Sequence, residues 1–146
     1  MGTKIRFRSD SILVAEEAGR RARGLPPQIC PCTEPDCPSR EQLVMATPPT
    51  QPGDCWRLGW YGNENLSGFA ICCPQCGEVH HWGSATNCTS RRELPGGGFT
   101  CDHAGKASCW TWTLGPDGAP TDVSPSLFAQ GACGWHGWLR GGELVT

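Results

Sequence analysis

The sequence predicts an α+β protein that is mainly β: a small antiparallel β domain with long loops, preceded by an N-terminal helix. Three observations predict it. Glycine (20) and proline (13) fill over a fifth of the 146 residues, so much of the backbone is turn and loop. Apolar residues alternate in short runs, at Lys4 to Arg8 and again at Trp110 to Leu114, the period of strands and not of helices. Eleven Cys and 7 Trp accompany a hydrophobic fraction of only 38%, so a loop-rich chain of this size needs staples beside its core.

Each element follows from a local signal. Lys4 to Arg8 alternates strictly, with Ile5 and Phe7 on one face, and predicts a short half-buried strand. Ser11 is placed to cap a helix from Ile12 to Arg23, with Glu16 and Glu17 early, Arg20, Arg21 and Arg23 late, and Gly24 and Pro26 as the stop. Cys30 to Cys37 is a Pro-broken loop, and Ser39-Arg40-Glu41-Gln42 is a capping box opening a short helix that ends before Pro48. These parts make an N-terminal extension over 1–50. The β domain occupies 51–146. There Cys55 to Tyr61 and Gly68 to Cys72 flank the polar turn Gly62-Asn63-Glu64-Asn65 as a hairpin. Asn87 to Cys109 reads as a long Cys-bearing loop centred on Gly96-Gly97-Gly98, and Trp110 to Leu114 enters a second hairpin through Gly115-Pro116-Asp117-Gly118.

Charge and hydropathy exclude several function classes. The formal charge of −2 offers no broad cationic field, so nucleic acid ranks last among partners. The apolar run Ile12 to Ala15 is four residues long, far short of a signal-peptide core or membrane helix. Arg6 stands where a myristoylation signal wants Ser or Thr. The expectation is a cytoplasmic protein without a membrane anchor. A reducing compartment and an odd number of cysteines then favour metal ligation over disulfides.

Two matched segments carry the strongest chemical signal: Cys73-Pro74-Gln75-Cys76-Gly77 and Cys133-Gly134-Trp135-His136-Gly137. Both have the form ligand-x2-ligand-Gly, in which a tight turn aims two side chains at one ion and glycine closes the turn. Cys73, Cys76, Cys133 and His136 are thus the expected ligands of a tetrahedral Zn²⁺ in a zinc-ribbon-like domain. Cys72 beside Cys73 leaves open which thiol ligates. Two looser sets, Cys30, Cys32, Cys37 with Cys55, and Cys88, Cys101, Cys109 with His103, have donors enough for further ions, so one zinc is expected and up to three can be accommodated.

Glu78, His80 and His81 follow the first knuckle. On a strand, Glu78 and His80 share a face, a carboxylate beside an imidazole suited to acid–base work at a metal with an open position. Four protein ligands would close that position, and the pair then serves as a surface contact or orients the ligands. Most tryptophans are expected in the core, with Trp60 near a hairpin tip as the exposed candidate.

Pro52-Gly53-Asp54, Cys72 to Gly77 with Glu78 and His80-His81, Ser124-Pro125-Ser126, and Cys133 to Gly142 together resemble a poorly characterised family of small Cys/His-rich proteins. Its members occur in phages and prophages, and related forms accompany bacterial ubiquitin-like conjugation operons. The resemblance covers roughly Pro52 to Val145. It implies a zinc-stabilised β fold and leaves activity open. The expectation is a protein of host cytoplasm or virion whose structural metal holds an interaction module for a protein partner. The resemblance also implies a rival: a peptidase-like zinc hydrolase working through Glu78 and His80 or His81. Two departures stand out: Pro74 occupies a place where a further Cys is expected, and Asn87 to Cys109 looks like an insertion.

Overall fold

A computed structural model of the chain describes residues 2–26, 37–57, 67–84, 92–102, 109–129 and 133–146. They form two compact units, residues 9–51 in one, and the first eight residues with 52–146 in the other. No helix among the described residues is long and apolar enough to cross a membrane.

The first unit is helical. α1 (Ile12–Ala22) is capped by Ser11, whose Oγ accepts from the Val14 amide at 3.4 Å, and it ends with Arg20 and Arg21 in its last turn. The Arg20 guanidinium donates to the Pro26 carbonyl at 2.8 and 3.1 Å, which ties the chain back as it leaves the helix. α2 (Cys37–Ala46) starts two residues ahead of the expected cap at Ser39 and packs against α1.

The second unit is built from β1 (Thr3–Lys4), β2 (Arg6–Phe7), β3 (Asp54–Arg57), β4 (Ser67–Cys72), β5 (Val79–Ser84), β6 (Arg92–Glu93), β7 (Gly98–Thr100), β8 (Thr111–Leu114), β9 (Pro120–Ser124), β10 (Leu127–Phe128), β11 (His136–Arg140) and β12 (Glu143–Val145). Among the described residues they make three four-stranded sheets, in the orders β1-β12-β11-β10, β2-β3-β4-β5 and β6-β7-β8-β9. Every pair is antiparallel except β2 with β3. The mainly β, α+β class read from the sequence is the class observed.

Two expectations are corrected. The strand expected over Lys4 to Arg8 breaks at Ile5, whose amide donates to the Gly142 carbonyl; the residues before it pair with β12 and those after it with β3. Its alternating residues thus supply edges to two sheets, which places this segment with the β unit and not with the helical extension. The loop expected over Asn87 to Cys109 contains a hairpin of β6 and β7, which joins β8. Gly98 hides this strand. Its φ is +122°, and a Cβ there would run into the Trp112 carbonyl, so the close approach of β7 to β8 demands the residue that reads locally as loop. The turn expected at Gly62 to Asn65 lies outside the described residues.

The core lies where the inward faces of the sheets meet. Phe69, Ile71 and Trp82 come from one sheet, Phe99, Trp112 and Val123 from the second, and Leu127, Leu139 and Leu144 from the third. Phe69 is central, its ring centroid 4.8 Å from Trp112 and 6.4 Å from Phe99. Trp56, Trp82, Trp112 and Trp135 are buried as expected, so aromatic area replaces scarce aliphatic area. Trp60 lies outside the described residues. Cys73, Cys76 and Cys133 border this core.

Candidate metal centre

The turn between β4 and β5 presents the first two donors. The Gly77 amide donates to the Cys73 carbonyl at 3.0 Å and the Cys73 amide to the Glu78 carbonyl at 2.8 Å, closing a tight knuckle. Gly77 takes φ +75°, the left-handed conformation expected after the second ligand. The chain then enters β5, whose alternation places His80 and Trp82 on one face and His81 on the other. Cys133 arrives from the segment before β11. The Gln75 side chain donates to its carbonyl at 3.0 Å and clips the two segments together.

Cys73, Cys76, His80 and Cys133 converge, each offering one ligand atom, with all four atoms within 4.8 Å of one another. The thiols of Cys73 and Cys133 are 3.5 Å apart, and the Cys76 thiol is 3.4 Å from His80 Nε2. A tetrahedral ion bound at about 2.3 Å from sulfur needs ligand atoms roughly 3.5–3.8 Å apart, so this Cys3His group has the dimensions to hold a metal. Burial pushes the Cys73 thiol up to about 11, whereas the Trp135 amide lowers Cys133 by donating to it. A cation bound among these thiols would draw their protons off.

Three of the four expected ligands are in this group, and the fourth place is taken by His80 instead of His136. The reason is strand alternation. His136 opens β11, where Gly137 and Leu139 face inward, so His136, Trp138 and Arg140 share the outward face. Its two-residue spacing from Cys133 therefore spans the entry to a strand and not a second knuckle. Cys72 is also assigned: its thiol donates to the Gly77 carbonyl at 3.2 Å, and Cys73 is the donor in the group. Of the expected acid–base set, His80 becomes a ligand candidate. Glu78 is exposed ahead of the strand, and His81 has its pKa lowered by burial and then by neighbouring His80.

The looser sets fare differently. Cys30, Cys32, Cys88 and His103 lie outside the described residues, as does the side chain of Cys37 at the start of α2. Cys55 is buried in β3 opposite Ile71, and Cys101 and Cys109 are buried near the ends of β7 and β8. No second group of three or more donors gathers among the described residues.

A different arrangement lies on the outward face of β10 and β11. His136 Nε2 is 2.7 Å from Ser126 Oγ, and both side chains reach solvent. The His136 ring sits between Phe128, its cross-strand partner, at 5.5 Å and Trp138 at 5.3 Å. Beside them Asp122, Ser124, Pro125, Trp138 and Arg140 line an open cleft of about 330 Å³. Ser126 is a site residue that residue-by-residue reading missed: it lies in the Ser-Pro-Ser stretch, but nothing in its spacing names His136 as its neighbour. Two further tryptophans secure this strand. Trp82 Nε1 donates to the Phe128 carbonyl at 3.2 Å, and Trp110 Nε1 to the Ser126 carbonyl at 3.1 Å.

No family model, curated protein or solved structure matches this chain.

Proposed function

We propose that this protein is a zinc-clasped β module in which one Zn²⁺, held by Cys73, Cys76, His80 and Cys133, is structural. The convergence of those four donors carries the reading. Three thiolates and an imidazole are a ligand set that suits zinc, and four protein ligands leave no position for a reacting water. This argues against the zinc-hydrolase reading through Glu78, His80 and His81, because His80 is used in holding the ion. Native mass spectrometry tests the assignment: one zinc per chain is expected in the wild type and in His136→Ala, and none in His80→Ala. A His136→Ala protein that loses zinc while His80→Ala keeps it would overturn the ligand set.

The working surface is then the outward face of β10 and β11. A module that only docks a protein partner needs no more than its outward aromatics, exposed Phe128 and half-buried Trp138. The 2.7 Å contact between Ser126 Oγ and His136 Nε2 favours a second reading, an acyl hydrolase acting on a polypeptide or ester. In that chemistry Ser126 Oγ attacks the substrate carbonyl carbon while His136 takes its proton. His136 gives that proton to the leaving nitrogen or oxygen as the acyl bond breaks. Water then attacks the acyl-serine by the same base, releasing the acid and restoring Ser126. A fluorophosphonate probe tests it. Covalent labelling of Ser126 that is lost in His136→Ala supports hydrolysis, and an unlabelled, fully folded wild type leaves the docking module.

A further inference from the structure

The candidate metal centre and the Ser126–His136 pair are joined by a run of aromatic contacts bridged by one indole hydrogen bond to the backbone. His80 and Trp82 alternate on one face of β5, and their rings meet edge to face at 5.8 Å. Trp82 also meets Trp135 edge to face at 6.1 Å, and Trp135 stands two residues beyond Cys133. Trp82 is therefore in contact with one candidate ligand, and with the chain that follows a second.

From that position its indole N–H donates to the Phe128 carbonyl. β10 is a two-residue strand at the edge of its sheet, held on one side by β11. Its other side would present bare carbonyls, and two indoles cap them: Trp82 caps Phe128 and Trp110 caps Ser126. So short a strand has little pairing of its own to fix its position. Phe128 in turn packs edge to face on His136, and Ser126 is two residues before Phe128.

The geometry points to Trp82 as a positioning residue through which the metal clasp sets the Ser126–His136 pair, so that metal occupancy controls the alignment of nucleophile and base. With His80 and Cys133 fixed by an ion, the Trp82 ring is held between His80 and Trp135, its N–H anchors β10, and Ser126 is held at hydrogen-bond distance from His136. Release of the ion frees His80 and the segment carrying Trp135, the two ring neighbours of Trp82, and weakens one of the two indole donors that cap this edge among the described residues. A displacement of an ångström at a nucleophile–base pair is enough to slow its chemistry by about a hundredfold. This inference rests on the hydrolytic reading for its chemical consequence, but not for the coupling itself.

Trp82→Phe keeps the ring and removes the donor. Expected are one zinc per chain by native mass spectrometry, Ser126 labelling by a fluorophosphonate slowed by about tenfold or more, and no further slowing on chelation. Wild type should label fast with zinc and slowly after chelation. The imidazole NMR resonances of His136 should move on chelation in the wild type and not in Trp82→Phe. Zinc-loaded Trp82→Phe that labels at the wild-type rate overturns the inference, as does chelation acting equally on both proteins. If the wild type does not label at all, the hydrolytic reading fails, while the His136 resonances still decide the coupling. Should Trp82→Phe not fold, hydrogen exchange at the Trp82 indole in the wild type replaces it. Protection with zinc and loss of protection on chelation are expected, and an indole that stays protected in the metal-free protein refutes the route.

Discussion

Asp54 is the most consequential charged residue of the β unit. It is 1% exposed, and its two oxygens accept from Arg6 at 2.7 Å and Arg8 at 3.0 Å. Arg8 also lies over the Trp56 ring, 5.2 Å from its centroid, so one carboxylate organises the residues that join β2 to β3. Asp54→Asn removes the buried anion that Arg6 and Arg8 share, and a loss of about 3 kcal/mol in urea unfolding is expected. Its neighbour Cys55 carries a pH dependence. Burial, and then the Asp54 carboxylate, hold the Cys55 thiol well above the ordinary value of 9.0. The unfolded chain therefore gives up this proton at lower pH than the folded one. The contribution is complete below about pH 9 and is lost as pH rises through the folded value. Melting temperatures should fall from about pH 9 upward, and those of Cys55→Ala should fall less steeply over the same range.

Among the elements, the β6–β7 hairpin depends on one backbone position. Gly98 combines φ +122° with a Cβ direction that meets the Trp112 carbonyl. Gly98→Ala should cost at least about 2 kcal/mol, because strain and a steric clash act together. Gly96→Ala is the comparison: φ is +86° there but nothing lies within 4 Å of the added carbon, so a smaller loss is expected from the same unfolding curves. The metal knuckle shows the opposite economy. Its hydrogen bonds are local, from Gly77 to Cys73 and from Cys73 to Glu78, so the β4–β5 turn can present Cys73 and Cys76 before Cys133 arrives.

For the whole molecule, the Cys3His group joins a hairpin of one sheet to the segment that leads into another. Zinc binding in small domains supplies on the order of 10 kcal/mol, comparable to the net stability of many folds. On the proposed zinc reading, stripping the ion with a chelator should therefore lower the melting temperature of the β unit and speed amide exchange across β4, β5, β10 and β11. Amides that remain as protected as in the zinc-loaded protein would show that the three-sheet core stands without the clasp. The aromatic core makes that a fair test, since Phe69 packs against Phe99 and Trp112, which come from β7 and β8 and not from the elements that carry the ligand candidates.

The sequence by itself determined the class, the helix capped at Ser11, the tryptophan-rich core and the pairing of one cysteine knuckle with a distant Cys133, because each has a local signal: a period, a cap, a spacing. Only the tertiary structure decided that His80 and not His136 faces the group, since the choice turns on where β11 begins and which side its first residue takes. Tertiary structure also decided that Gly98 belongs to a strand, which follows from the nearness of a carbonyl supplied by β8. The meeting of Ser126 with His136 is of the same kind. Cross-strand register creates it, and no pattern within either segment records which residue will stand opposite.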